Sequence, residues 1–347
     1  MTGEAWTPMR RVLACLGQQE PDRVPLFLPV TMHGARELGL SIREYFSRPE
    51  NVVEGQLRMR ARYQHDLHYT FFHASLEAEA FGGESIFFED GPPNAGAPTI
   101  RRREQIDALV PPRVEDCEGL TRVLRATELL KARVGDTVPI VGVVMSPFSL
   151  PIMQMGFGPY LELLAEDSDR FWKLMAVNEE FCVAFANAQL AAGATAICYY
   201  DPVASPTIVE PERYLETGHV VARRTIARIR GPVATHLASG RCLPIVDALV
   251  ATGSVMVGVS ALEDLGEVKA AFNRRLTVLG NLNGIAMRRW TAEDAELHVR
   301  RAIGLAGRGG GFILADNHGE IPWQVPEAVL DAIASAVQRF GRYPLEE

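Results

Sequence analysis

The sequence predicts an α/β fold: a single (β/α)8 TIM barrel over residues 1–347, with an inserted β-hairpin after the second strand. Three observations point there. Eight short apolar runs of strand length alternate with helical patterns, the chain carries no linker, and several runs end on a polar residue. Strands separated by helices pair in parallel, and eight of them close a ring. An open doubly wound sheet is the competing arrangement, but no GxGxxG follows the first strand and no GxxxxGK[ST] occurs.

In chain order, Thr7 to Gly17 reads as a short helix, and Asp22-Arg23-Val24-Pro25 leads into a first strand, Leu26 to Thr31. Helical periodicity fills Gly34 to Leu40 and Pro49 to Tyr63; a second strand, His68 to Phe72, ends at His73. From Gly82 to Arg103, Gly, Pro and Asn cluster around Ser85-Ile86-Phe87-Phe88, the composition of an inserted hairpin. A helix from about Cys117 to Val134 precedes strand three, Pro139 to Val144, which runs into Met145-Ser146-Pro147. Helices at about Pro159 to Leu164 and Asp167 to Ala192 precede strand four, Ala194 to Tyr200, with Asp201-Pro202 at its tip. The helix Pro211 to Arg230 leads to strand five, Val233 to Leu237, and Leu243 to Thr252 leads to strand six, Val255 to Val259. Leu262 to Phe272 precedes strand seven, Thr277 to Gly280, which ends Asn281-Leu282-Asn283. The helix Thr291 to Leu305 brings the chain to strand eight, Gly311 to Ala315, then Asp316-Asn317-His318-Gly319, two punctuating prolines, and a closing helix, Glu327 to Phe340.

Composition narrows the function. Apolar residues make up 47% of the 347, enough for a sizeable core, and the net charge of -8 argues against a nucleic-acid or anionic-membrane partner. Five cysteines show no CxxC spacing or disulfide framework, and no apolar run is long enough to span a bilayer, so a reducing cytoplasm is the expected compartment.

Polar residues recur at one end of successive strands: His73, Ser146, Asp201, His236, Asn281, Asn283 and His318. Each alone is explained by a cap or a turn, but a closed barrel converges them on one mouth. Tyr200, Glu79 and Arg36 join them as candidate substrate contacts, beside His73, Asp201, His236 and His318 as candidate catalytic groups.

The order of motifs resembles the uroporphyrinogen decarboxylase superfamily, and within it the cobamide-dependent methyltransferases. The resemblance runs from about Val12 to Tyr343 and rests on an ordered set. It includes Leu76-Glu77-Ala78-Glu79-Ala80-Phe81-Gly82, Ser146-Pro147-Phe148-Ser149-Leu150 and Asp201-Pro202-Val203-Ala204-Ser205-Pro206. Val278-Leu279-Gly280-Asn281-Leu282-Asn283 and Gly311-Phe312-Ile313-Leu314 with His318-Gly319 complete it. The resemblance implies the same barrel. Two departures stand out. The thiol-methylating members hold zinc with an HxC pair and a later Cys, whereas this chain has His236-Leu237-Ala238 and His318. The decarboxylases use an Asp after strand two, where His73 stands, and their Arg-rich substrate loop has only Met32-His33-Gly34-Ala35-Arg36 as counterpart.

Two reactions follow from the resemblance. One is methyl transfer between a small O-, S- or N-methyl compound and a cobamide, the corrinoid being carried on a separate protein because no DxHxxG motif occurs here. His236 and His318, with Asp201 or Glu79, would then form an N2O set suited to Zn²⁺, with Cys242 as a further donor; alternatively the imidazoles act metal-free. The other is decarboxylation of a porphyrinogen acid, with His73, Tyr200 or His318 as acid and Arg36 or Arg241 holding carboxylates. A non-catalytic barrel is the third reading.

Overall fold

A computed structural model describes residues 5–346. In chain order the strands are β1 (His68–Tyr69), β2 (Ser85–Ile86), β3 (Asn94–Ala95), β4 (Ile140–Met145) and β5 (Ala196–Tyr200). They continue as β6 (Val233–His236), β7 (Met256–Gly258), β8 (Thr277–Leu282) and β9 (Phe312–Asp316). Seven of them form one parallel sheet in the order β1-β4-β5-β6-β7-β8-β9, with helices in the crossovers. In the Gly- and Pro-rich interval, β2 and β3 pair antiparallel over two residues, Ser85 with Ala95 and Ile86 with Asn94.

The expected first strand, Leu26 to Thr31, is reduced to a bridge in which Leu26 pairs in parallel with Leu314. Pro25 and Pro29 account for this, since neither has an N–H to continue a ladder. The segment nevertheless touches both edges of the sheet. Phe27 N–H donates to Leu314 O (2.8 Å), and Leu26 O accepts from Asp66 N–H (2.7 Å), just ahead of β1. The architecture is therefore TIM-barrel-like, with seven regular strands and one irregular segment. The expected helix Pro211 to Arg230 is two helices, Pro211–Glu216 and Gly218–Ile226. They part at Thr217, whose φ of -126° and ψ of -85° break the helical path.

Strand parity divides the core into layers. Tyr69, Val141, Val143, Cys198, Tyr200, Leu279, Ile313 and Ala315 share one buried cluster inside the curled sheet. Their neighbours of opposite parity pack outward: Ile140, Val144, Ile197 and Tyr199 meet Phe181 and Phe185 of the helix Ser168–Ala191. Val257, Val278, Phe312 and Leu314 meet Val299, Ile303, Val329 and Ile333 in the same way. The period of two along a strand decides which polar tips reach the mouth.

The opposite, N-terminal face is closed by the helix Pro8–Leu16, where Cys15 Sγ lies 3.4 Å from Phe312 O and Thr277 Oγ1 donates to Cys15 O (3.1 Å). Asp66 is the hub of this face. It is 1% exposed and accepts from Arg11 Nη1 (2.6 Å), Arg23 Nη1 (2.7 Å) and Nη2 (3.0 Å), and Leu26 N–H (2.8 Å). One carboxylate so joins the N-terminal helix, the irregular first segment and the entry to β1. Replacing Asp66 by Ala leaves the buried guanidinium of Arg23 without its carboxylate partner and Arg11 with Asp22 as its remaining one. A loss of about 3–5 kcal/mol in unfolding free energy is expected, read from urea denaturation; a loss below about 1 kcal/mol would contradict this role.

Candidate active site

The site is built around His236, the last residue of β6, which has inward parity and is 2% exposed. Its ring stacks on Tyr200 of β5 at 5.0 Å between centroids and 30° between planes, and Tyr200 in turn lies 6.1 Å from Phe71. Gly258, the partner of His236 on β7, makes room for it: a Cβ there would stand 2.2 Å from the imidazole Cδ2. Ala238 N–H donates to His236 Nδ1 (3.0 Å), which leaves the ring proton on Nε2. Burial, with a contribution from His318, pulls the His236 pKa down to about 3, so this imidazole is neutral at physiological pH.

His318 follows β9, and Ser239 Oγ hydrogen-bonds to its Nδ1. The two loops are tied together, Ser239 N–H donating to Asn317 O (2.8 Å) and Asn317 Nδ2 to Ser239 Oγ (3.1 Å). Ala238 and Ser239 occupy successive left-handed conformations, with φ of 44° and 72°. Non-glycine residues hold such angles at a cost of about 1–3 kcal/mol each. Here the turn aims Ala238 N–H at one imidazole and the Ser239 hydroxyl at the other. Gly319 is required beside them: its φ is 82°, and a Cβ would overlap Tyr200 Oη at 1.4 Å. Tyr200 Oη donates to His318 O (3.3 Å) and lies 3.4 Å from Tyr69 Oη.

Two carboxyls support this loop, Asp316 from the outward face of β9 and Glu320 just beyond His318. Asp316 accepts from His318 N–H (2.8 Å) and Gly319 N–H (3.0 Å), and burial raises its pKa to about 7 despite these bonds. Glu320 accepts a hydrogen bond from Thr31 Oγ1, at the end of the irregular first segment, and burial raises it to about 7 as well. The charge of Asp316 adds to that rise. The sequence reading did not single out Glu320, Thr31, Ser239 or Tyr69. The available signal was the spacing: Glu320 is two residues beyond His318 across a glycine that must turn the chain.

Other expected site residues are elsewhere. Asp201 has the parity of Tyr199 and faces the helical layer. Its Oδ1 accepts from Ser146 Oγ (2.6 Å) and Ser149 Oγ (2.7 Å), so it joins strand tips to the following loop and does not orient the imidazoles. Ser146 belongs to that cluster. Glu79 lies near Gly119 on the outer side, and the buried member of its segment is Glu77, whose Oε1 accepts from Met145 N–H (2.8 Å) while Oε2 has no partner. His73 hydrogen-bonds Ser75 Oγ (2.7 Å) between the rings of Phe46 and Phe87. Asn281 Nδ2 donates to Ser260 O (2.9 Å), and Asn283 Oδ1 accepts from Ala286 N–H (3.0 Å); both fasten loops. Arg36 stacks on Trp323 at 4.2 Å and donates from Nη2 to Trp323 O (2.7 Å), which anchors it to the loop after β9.

The residues do not fit the zinc set. Among the described residues, no three His, Cys, Asp or Glu side chains come together in a way that could hold a metal ion. Asp201 is turned to Ser146 and Ser149, Glu79 lies near Gly119, and burial, with Glu263 adding to it, pushes the Cys242 thiol pKa upward. His236 and His318 remain as a pair of imidazoles.

With this geometry in place, comparison with known proteins identifies the class. The profile of the uroporphyrinogen decarboxylase (URO-D) family matches residues 7–340, and the chain belongs to that family. A uroporphyrinogen decarboxylase of Methylococcus capsulatus is 26% identical over 316 residues, covering 88% of each chain. A methylcobamide:CoM methyltransferase, MtaA of Methanosarcina barkeri, is 26% identical over 179 residues, 51% of this chain and 52% of that one, so this match spans about half of that relative. A methyltransferase from Methanosarcina mazei superposes with a TM-score of 0.87 at 20% identity, covering 97% of this chain and 99% of that one, and it establishes the shared fold. No helix among the described residues is long and apolar enough to cross a membrane.

Burial of Glu77 gives a pH test of this region. Its pKa is raised from 4.5 to about 8, so the folded protein keeps a proton that the unfolded chain has released. Native-state stability therefore falls as pH rises across this window, by up to about 1.4 kcal/mol per pH unit. Glu77→Gln removes the dependence. The stability of wild type relative to Glu77→Gln should decline from about pH 5 to pH 8 in urea titrations; a flat or rising difference would show a carboxylate that is ionised when folded.

Proposed function

We propose that the protein is an enzyme that moves a methyl group between a small O-, S- or N-methyl compound and a corrinoid carried on a separate protein. The observation that carries this reading is the charge state of the mouth. Two neutral imidazoles and the protonatable carboxyl of Glu320 line it, while Arg36, the arginine expected there, stacks on Trp323. A polycarboxylate substrate needs free guanidinium partners and is repelled by carboxylates, whereas a small neutral methyl compound needs neither. The family relationship and the methyltransferase relative support the same reading.

In this reading the corrinoid supplies the nucleophilic cobalt, and the residues of this chain bind the methyl compound and stabilise the atom it leaves behind. Thiolate, alkoxide and amine are poor leaving groups until protonated. His236, with its proton on Nε2, donates a hydrogen bond without ionising, and Ser239 sets the orientation of His318. Glu320, with a pKa of about 7, can deliver the proton near neutrality. The Phe71–Tyr200–His236 stack gives the substrate a rigid apolar wall.

The test mixes the protein with reduced corrinoid protein and a panel of methylated donors and follows corrinoid absorbance. Methylcobamide formation is expected from at least one donor. His236→Ala and Glu320→Gln should each lower the rate about 100-fold or more, Glu320→Gln at an unlowered urea midpoint and His236→Ala while still unfolding cooperatively despite the cavity it leaves. Wild-type activity should fall as pH rises through about 7, where Glu320 loses its proton. A second reading, porphyrinogen decarboxylation, is favoured by the decarboxylase relative that aligns with 88% of the chain. Uroporphyrinogen is therefore assayed in parallel; its turnover, with no methylcobamide from any donor, would replace the first reading by the second.

A further inference from the structure

On the N-terminal face, opposite the mouth, a cleft of about 650 Å³ is lined by Arg11, Arg23, Arg60 and Arg342 together with Asp22 and Asp66. Its charged lining is two more positive than negative, in a chain whose net charge is -8. The distribution of partners within it is unequal. Asp66 is saturated by Arg11, Arg23 and a backbone N–H, and Asp22 is held in a fork by Arg11 Nε (2.6 Å) and Nη2 (2.6 Å). Arg23 spends its remaining terminal donors on Val24 O (2.9 Å) and Gln64 O (3.4 Å).

Arg60 is left over. Its Nε is buried without a hydrogen-bond partner, and burial lowers its pKa, with Arg11 and Arg23 opposing its charge further. Asp66 favours its charge from a distance but spends its oxygens on Arg11, Arg23 and Leu26 N–H and makes no hydrogen bond to it. His65 and His68 are both 0% exposed, neither has a charged side chain hydrogen-bonded to its ring, and both lie within the field of Arg60. Burial and that field bring their pKa values down to about 3, so they are neutral and cannot pair with it. Arg342, exposed at the cleft edge, uses only Nε, on Gln338 O (3.2 Å), which leaves its terminal nitrogens available.

A half-buried guanidinium whose neighbours are other guanidiniums, saturated carboxylates and neutral imidazoles is stabilised by an anion from the solvent side. We propose that this cleft binds a phosphate group, free or on a small phosphorylated metabolite, between Arg60 and Arg342. The planar forks of two arginines suit the oxygens of a tetrahedral dianion, and the excess of two positive charges matches its charge. The cleft lies across the barrel from the mouth, so the proposal stands independently of the reaction assigned there.

The experiment titrates the whole protein at low ionic strength with inorganic phosphate, with glycerol phosphate and with acetate, by calorimetry and by the phosphorus resonance where there is one. Saturable binding of phosphate or its ester, on the order of 1 mM or tighter, is expected, with acetate at least about tenfold weaker. Stronger binding of the ester identifies a metabolite site, and equal binding identifies the free anion; either upholds the proposal. Arg60→Met should weaken binding at least about tenfold without lowering the urea midpoint, since Arg60 contributes no hydrogen bond to the fold. Arg342→Gln, at the exposed edge, is the second variant and should weaken binding as well. Absence of saturable phosphate binding to wild type, acetate bound as tightly as phosphate, or undiminished binding by both variants would overturn the proposal.

Discussion

The alternation of side chains along parallel strands is the constraint on which the rest of the molecule depends. Tyr200 and Asp201 are adjacent in sequence, yet the first stacks on His236 inside the sheet and the second binds Ser146 and Ser149 in the helical layer. Register carries the same rule across strands. Gly258 is the partner of His236, and its missing side chain is the space the imidazole occupies. A substitution that shifted β6 by one residue would exchange His236 for Leu237 in the mouth and dismantle the site without touching its chemistry.

Burial then sets the chemical character of each end. At the mouth it suppresses charge: the imidazole of His236 loses its proton readily, while Glu320, and Asp316 beneath the same loop, keep theirs toward neutrality. The result is a set of hydrogen-bond donors and proton carriers with little fixed charge. At the N-terminal face the same physics is resolved by pairing, with Arg11 and Arg23 gathered on Asp66. Buried ions there hold the entry of the irregular first segment against β1, where prolines deny a regular ladder.

Much of the scaffold was legible because each later strand is an apolar run with helices on either side. The strands after Pro139 lie within two residues of their expected bounds. The first segment was not legible as a bridge, since Leu26 to Thr31 has strand composition and only Pro25 and Pro29 speak against a ladder. The imidazole pair was legible at strand tips; its partners were not. Ser239 is brought to His318 by a left-handed turn that no local propensity announces. The burial of Glu77 was not legible, because the helix Ser75–Ala80 that turns it inward is too short to show a period. Asp201 was misplaced for a simpler reason: a residue one step past a strand changes face, and tip position alone does not say which face it takes.

The central claim is that His236 is held as a neutral imidazole with its proton on Nε2, through the Ala238 N–H bond and burial against Tyr200 and Gly258. Nitrogen NMR of histidine-labelled protein measures this directly, with the His236→Ala variant assigning the resonance. A protonated Nε2 and unprotonated Nδ1, unchanged from pH 8 down to about pH 4, is the predicted result, in keeping with a pKa near 3. A resonance that titrates near the ordinary value of 6.5, or a proton on Nδ1, would contradict it.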